Sequence, residues 1–245
     1  MSGKEPKLRL NVWSGPRNVS TALMYSFAQR SDTRVVDEPL YAHYLRVSGA
    51  PHPGREAVLA SQEQDGEKVV REVILGPCDR PIAFFKQMAH HLVGLDRAFL
   101  AHTANVILTR DPSEMLPSLR ENVARPKIGD TGYAVQTQLF EQLRALGQDP
   151  PVLDAREILM SPRKVLGELC RRLGLPFEES MLSWKPGARP EDGVWAPHWY
   201  ASVHRSSGFE PYRPKTAPFP AELTELLAEC RPHYDALARV AIRAR

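Results

Sequence analysis

The chain has 245 residues, enough to bury one substantial core, and no break in composition divides it, so a single domain over residues 1–245 is expected. Its 32 basic and 29 acidic residues leave a formal charge of +3, which suits a small anionic ligand and does not demand nucleic acid. Cys78, Cys170 and Cys230 form no C-x-x-C pair, which argues against a disulfide framework and a zinc site and for a reducing, cytoplasmic setting.

In chain order, short apolar runs of strand length lie at 8–13 (LRLNVW), 34–36, 82–85, 105–109 and 151–154. Helical candidates fill the intervals at 20–30, 54–64, 88–101, 112–123, 131–146, 161–173 and 220–243. That alternation predicts an α/β three-layer sandwich, a central parallel sheet flanked by helices. Asp111 before Pro112 marks one helix start, and Gly174 closes the helix that ends in Arg171 and Arg172. The first run alternates Leu8, Leu10 and Val12 against Arg9, Asn11 and Trp13, the pattern of a half-exposed strand. Pro232 is expected to kink or split the last helix. Residues 184–220, crowded with Pro, Gly and aromatics, read as a long irregular excursion. Its Trp195, Trp199 and Tyr200 suit either a lid or a small satellite core.

Polar residues follow each run: Ser14 to Arg17 after the first, Asp37 and Glu38 after the second, then Lys86, Arg110 and Arg156. Ligands of open parallel sheets bind outside the carboxyl ends of the strands, so these groups are expected to converge on one crevice. Cations facing one or two carboxylates suit an anionic cofactor plus a general base. The loop SGPRNVST (14–21) combines a small residue, a cation and hydroxyls at a helix start, the parts of a phosphate cradle. It is no Walker A loop, because Val19 and not a Gly-Lys pair precedes Ser20.

SGPRNVSTAL resembles the 5′-phosphosulfate loop of sulfotransferases that use 3′-phosphoadenosine 5′-phosphosulfate (PAPS), matching at Pro16, Arg17, Ser20 and Thr21. Asn18 and Val19 stand where that family has Ser-Gly, and a β-branched residue disfavours the positive φ that glycine allows. VILTRDPSEMLPSL (106–119) is similar to the family's 3′-phosphate motif, with Arg110 and Ser118 eight residues apart. Residues 151–181 resemble its strand, acidic turn and helix. The resemblance implies a P-loop-like fold, PAPS as co-substrate without a metal, and a small-molecule hydroxyl or amine acceptor. It implies donor contacts from Arg17, Asn18, Val19, Ser20, Thr21, Arg110 and Ser118, with Arg205 in a loop closing over the donor. It also implies that Lys86 contacts the bridging oxygen. Glu38 is the expected base, His90 the second contender and His91 a third, since a helix beginning near 88 puts Lys86 and His90 on one face.

Two other readings stay open. A P-loop-like nucleotide kinase would hold magnesium on Asp37 or Asp111. A sulfotransferase-like binding module would keep the fold without the chemistry. No run reaches the roughly 20 apolar residues of a membrane span, and the N-terminal MSGKEPKLRLNVW lacks a signal-peptide core, so no membrane partner is expected.

Overall fold

The computed structural model describes residues 5–244. Its elements in order are β1 (Leu8–Ser14), α1 (Ser20–Phe27), β2 (Thr33–Asp37), α2 (Tyr41–Ser48), α3 (Arg55–Ser61), α4 (Gly66–Val69, continued as a π-helical turn to Ile74) and β3 (Ile82–Met88). Then come β4 (Ala104–Thr109), α5 (Pro112–Arg120), α6 (Ile128–Thr131), α7 (Tyr133–Ala145), β5 (Val152–Asp154), α8 (Ala155–Met160) and α9 (Pro162–Arg172). The chain finishes with α10 (Ala196–Trp199), α11 (Ala201–His204) and α12 (Thr224–Val240).

All five strands are parallel in the order β2-β3-β1-β4-β5, so the three-layer α/β sandwich is as expected and every strand presents its carboxyl end to one rim. Leu10 and Val12 face a core shared with Leu23 and Phe27 of α1 and with Leu166 and Leu169 of α9. Trp13 faces the opposite layer, among Phe85, Phe99, Leu139 and Leu143.

β1 is the central strand and is not half exposed. Its polar alternation marks a buried hydrogen-bonded seam: Asn11 accepts from Gln87 Nε2 at 3.2 Å, and Trp13 Nε1 donates to Asn105 Oδ1 at 2.9 Å. Burial of polar side chains is tolerated when they are paired, which periodicity alone does not reveal. The expected helix at 88–101 is also absent. β3 runs on to Met88, two 3₁₀ turns follow at Ala89–Leu92 and Ala98–His102, and Gly94 at φ +65° separates them in a conformation no helix accommodates. α12 passes through Pro232 without splitting. α5 starts as expected, the Asp111 carboxylate accepting from Ser113 N–H at 2.8 Å.

The 184–220 segment is mostly irregular but anchored. Ser183 and Gly208 pair at its base, while Trp184, Trp195 and Tyr200 are buried. No helix of the described residues is long and apolar enough to cross a membrane.

Candidate active site

β1 ends in a loop that must turn sharply against α6, and Gly15 permits it. A Cβ there would stand 2.7 Å from the Thr131 carbonyl oxygen. The left-handed conformation expected of a glycine at 19 falls instead on Arg17, at φ 52°, while Val19 sits at φ −85°. A branched residue at 19 is therefore unstrained. Asn18 braces the loop by donating from Nδ2 to the Leu108 carbonyl (3.1 Å) and accepting at Oδ1 from Val19 N–H (2.8 Å). No side chain caps α1, so the first-turn N–H groups at Ser20 and Thr21 are free of intrahelical partners and border a cavity of ≈ 400 Å³.

Arg17 reaches along that cavity, donating from Nε to Ser118 Oγ at 3.0 Å and from Nη1 to the Trp199 carbonyl at 3.5 Å. Arg110, after β4, donates from Nη1 to the Arg17 carbonyl at 2.8 Å and pairs with Glu114 at 3.6 Å. Arg17, Arg110 and Ser118 all border the same cavity, joined by Lys215 from the irregular segment. Burial holds the Arg17 guanidinium below its usual range, and Arg110 adds to that against the pull of Glu121. Burial, then the repulsion of Arg110, does the same to Lys215. Arg17, Arg110 and Lys215 thus bring like charges together on this part of the cavity wall, an arrangement that a bound anion relieves.

The other end is built on β2 and β3. Lys86 is interior to β3, directly opposite Asp37, and only 1 % exposed. Its ammonium has three donors, and three acceptors meet it: Asp37 Oδ1 at 2.8 Å, Glu38 Oε1 at 2.5 Å and the Tyr200 hydroxyl oxygen at 2.6 Å. Tyr200 in turn donates to Asp37 Oδ2 at 2.7 Å and accepts from Trp195 Nε1 at 3.0 Å. Gly193 N–H adds a bond to Asp37 Oδ2 at 3.2 Å, and a Cβ at Gly193 would strike the Trp195 ring at 2.2 Å. Asp37 thus has both oxygens occupied and is the counter-ion. Among the described residues the Glu38 carboxylate accepts from Lys86 alone, and it borders the cavity.

Burial raises the Glu38 pKa, and the Asp37 charge adds to it against the pull of Lys86. Burial opposes the Lys86 charge, but Asp37 and Glu38 together keep its pKa above the ordinary lysine value. Glu38 also holds φ 41°, the second non-glycine residue in the left-handed region; Arg17 is the first, and both border the cavity. Strain of that kind, of order 1–3 kcal/mol per residue, persists where the surrounding contacts fix the backbone.

His90 and His91 reach the cavity from the turn after β3, not along a helix shared with Lys86. Burial, then the charge His52 would carry, depresses the His90 pKa to about 3; burial puts His91 well below its ordinary value too. Both are neutral imidazoles packed on aromatic rings. His91 stacks on Tyr41 at 5.0 Å and on Tyr44 at 4.6 Å, and His90 meets Tyr44 edge-on at 4.9 Å. Tyr41 Oη lies 2.9 Å from His52 Nδ1, and Trp195 and Trp199 complete this aromatic wall.

Of the groups expected to converge on the rim, Arg17, Glu38, Lys86 and Arg110 border the cavity and Ser14 and Asp37 do not; the expected donor contacts Asn18, Val19, Ser20, Thr21 and Ser118 border it too, as does His90. Arg156 does not join them; its guanidinium lies over the Tyr212 ring at 4.7 Å. Arg205 is exposed and outside the cavity lining. Sequence reasoning missed Lys215, Tyr41 and His52, and missed Tyr200 as a partner of Lys86. Among the described residues no cluster of three or more His, Cys, Asp or Glu is arranged to hold a metal.

The protein is thus an α/β fold whose parallel sheet carries Arg17, Arg110 and Ser118 on one part of its rim and the Lys86–carboxylate cluster on another. The chain belongs to the sulfotransferase domain family, whose model matches residues 8–241. Two solved structures share the fold at low identity. A sulfotransferase from Alicyclobacillus acidocaldarius has a TM-score of 0.53 and 16 % identity, covering 97 % of this chain and 96 % of its own. The sulfotransferase domain of the Synechococcus PCC 7002 olefin synthase has a TM-score of 0.51 and 17 % identity, covering 94 % and 96 %. Two Arabidopsis thaliana proteins described as branched-chain-amino-acid aminotransferase-like proteins 1 and 2 are 42 % identical over 234 residues and 39 % over 229. Those alignments cover 95 % and 93 % of this chain but only 42 % and 41 % of the relatives, so it spans less than half their length.

Proposed function

We propose that the protein transfers a sulfuryl group from PAPS to a hydroxyl or amine of a small-molecule acceptor. The observation that carries this reading is one cavity with Arg17, Arg110 and Ser118 at one end and Lys86 with Glu38 at the other. The residues fit the donor: an uncapped helix start meets the 5′ sulfate-bearing group, while Arg110, Ser118 and Lys215 meet the 3′-phosphate with charge-assisted bonds. When bound, the donor supplies an activated sulfur whose bond to the bridging oxygen breaks as the acceptor attacks in line, so catalysis is positioning plus charge stabilisation.

Glu38 is the base, because its carboxylate faces the cavity with a raised pKa and takes up the proton the acceptor releases. Lys86 places positive charge where the leaving oxygen becomes negative, while Arg17 holds the donor's anionic groups beside Ser118. His90, a neutral imidazole of depressed basicity, belongs to the acceptor wall rather than to proton transfer.

The test is thermal denaturation with adenosine 3′,5′-bisphosphate in the absence of magnesium. At a hundredfold excess over Kd the ligand adds roughly 2.7 kcal/mol, a rise of about 5–10 °C for a chain of this size. Arg110→Ala should lose most of the rise and Glu38→Gln should keep it. No stabilisation of the wild type, or stabilisation only by a nucleoside triphosphate with magnesium, would refute the reading.

A further inference from the structure

Tyr200 touches more of the charged cluster than any element of the reaction just described requires. It lies between α10 and α11, is buried, and comes from the irregular segment rather than from the sheet. Its hydroxyl is fully used: it accepts from Lys86 Nζ (2.6 Å) and Trp195 Nε1 (3.0 Å) and donates to Asp37 Oδ2 (2.7 Å). One oxygen therefore fixes the third proton of the ammonium and the second oxygen of its counter-ion. The Lys86 stem has four flexible carbons, and two carboxylates on adjacent residues leave it two directions to lean. The third contact selects one.

We propose that Tyr200 is a positioning residue of the sulfotransferase reaction, its hydroxyl locking Lys86 onto Asp37 so that Glu38 alone is left to accept a proton. The proposal rests on the function assigned above. It distinguishes the two carboxylates by geometry: Asp37 is bound by Lys86, Tyr200 and Gly193, whereas Glu38 shares only the ammonium. The ionisable groups around Glu38 are Asp37 beside it, Lys86 from β3, Tyr200 from the overlying segment and Tyr41 from α2. The neutral His90 and His91 border the same cavity. Burial and then the two carboxylates hold the Tyr200 phenol far above its ordinary pKa, so it remains a proton donor to Asp37 throughout the working range.

Removing the hydroxyl has a definite sign. Asp37 loses a donor, more of its negative charge is felt at Glu38, and the Glu38 proton is held more tightly. In Tyr200→Phe, carboxyl ¹³C NMR of labelled glutamate, assigned with Glu38→Gln, should show Glu38 titrating about one pH unit higher than in the wild type. Affinity for adenosine 3′,5′-bisphosphate should stay within about twofold, because the hydroxyl faces the lysine end. Transfer to any acceptor the wild type turns over should fall about 10- to 100-fold in kcat, the range for a lost hydrogen bond to a charged group.

Trp184→Phe is the comparison. It removes a buried bond in the same segment, from Trp184 Nε1 to Ser206 Oγ, away from the charged cluster. It should lower the melting temperature and leave the Glu38 titration in place. An unmoved titration in Tyr200→Phe, or an equal movement in Trp184→Phe, overturns the proposal. Should Tyr200→Phe not fold, ¹⁵N spectra of lysine-labelled wild type decide the matter. An ammonium held by three acceptors exchanges slowly with water, and its signal should vanish in Lys86→Arg; rapid exchange refutes the lock. A wild type that shows the slow ammonium but does not bind adenosine 3′,5′-bisphosphate would sink the sulfotransferase reading and leave the lock standing.

Discussion

Replacing Lys86 by Met separates the two roles of the charged cluster. The substitution keeps the length and apolar volume of the side chain and deletes the charge, leaving Asp37 and Glu38 both buried with no cation between them. Removing one member of a buried ion pair destabilises by about 3–5 kcal/mol, which lowers the melting temperature by roughly 10 °C in a domain of this length. The loss depends on pH in a direction the geometry fixes. The Glu38 pKa is already above its ordinary value through burial and Asp37, with Lys86 the opposing influence. An acid whose folded pKa is raised loses stability as pH climbs from its unfolded value through its folded one. Without Lys86 that folded value moves further up, so acidification from about pH 7.5 to about pH 5.5 should return more stability to the variant than to the wild type. Lys86 itself, held above its ordinary pKa, contributes fully below the unfolded lysine value and loses that contribution only as pH rises through the folded one. Urea denaturation at both pH values, with Lys86→Met/Glu38→Gln as the neutralised partner, reads all of this. A Lys86→Met protein as stable as the wild type at neutral pH, or one that gains nothing on acidification, would show that the ammonium is not the partner of those carboxylates.

His90→Asn should leave the acidic limb of a pH–rate profile where it is, because a histidine depressed to about pKa 3 does not titrate in the neutral range; a displaced limb would return His90 to the role of base. Gly15→Ala should destabilise by about 1–3 kcal/mol through overpacking against the Thr131 carbonyl, measured by urea unfolding, and a neutral outcome would mean that the loop and α6 separate easily. Val19→Gly, which restores the family's loop residue, should lower stability by about 0.5–1 kcal/mol without improving adenosine 3′,5′-bisphosphate affinity, because position 19 does not adopt a positive φ; tighter binding would refute the loop geometry.

Much of the rim could be read from neighbouring residues. Arg110 precedes the Asp111-Pro112 helix start, Gly15 to Ser20 follows an apolar run, and both signals are local, set by caps and close backbone approach. What escaped reading was set by distant parts of the chain. Tyr200 meets Lys86 across 114 residues of sequence, inside a segment whose Pro and Gly content hides any periodicity. Asn11 and Trp13 present the pattern of a solvent-facing strand because their partners Gln87 and Asn105 sit on neighbouring strands. The run from Met88 to Leu100 has helical spacing of apolar residues, but Gly94 in the left-handed region and a strand that continues into the run decide the backbone there.

The anchored segment ties two parts of the cavity wall to each other. It is tied at its base by the Ser183–Gly208 pairing and by Trp184 N–H donating to the Ser207 carbonyl at 3.0 Å, so residues 184–207 form a loop closed at its base. The same loop meets Arg17 through the Trp199 carbonyl and the Lys86 ammonium through Tyr200. Displacing this loop therefore breaks contacts to Arg17, Lys86 and Asp37 together, so the two parts of the cavity wall cannot loosen independently.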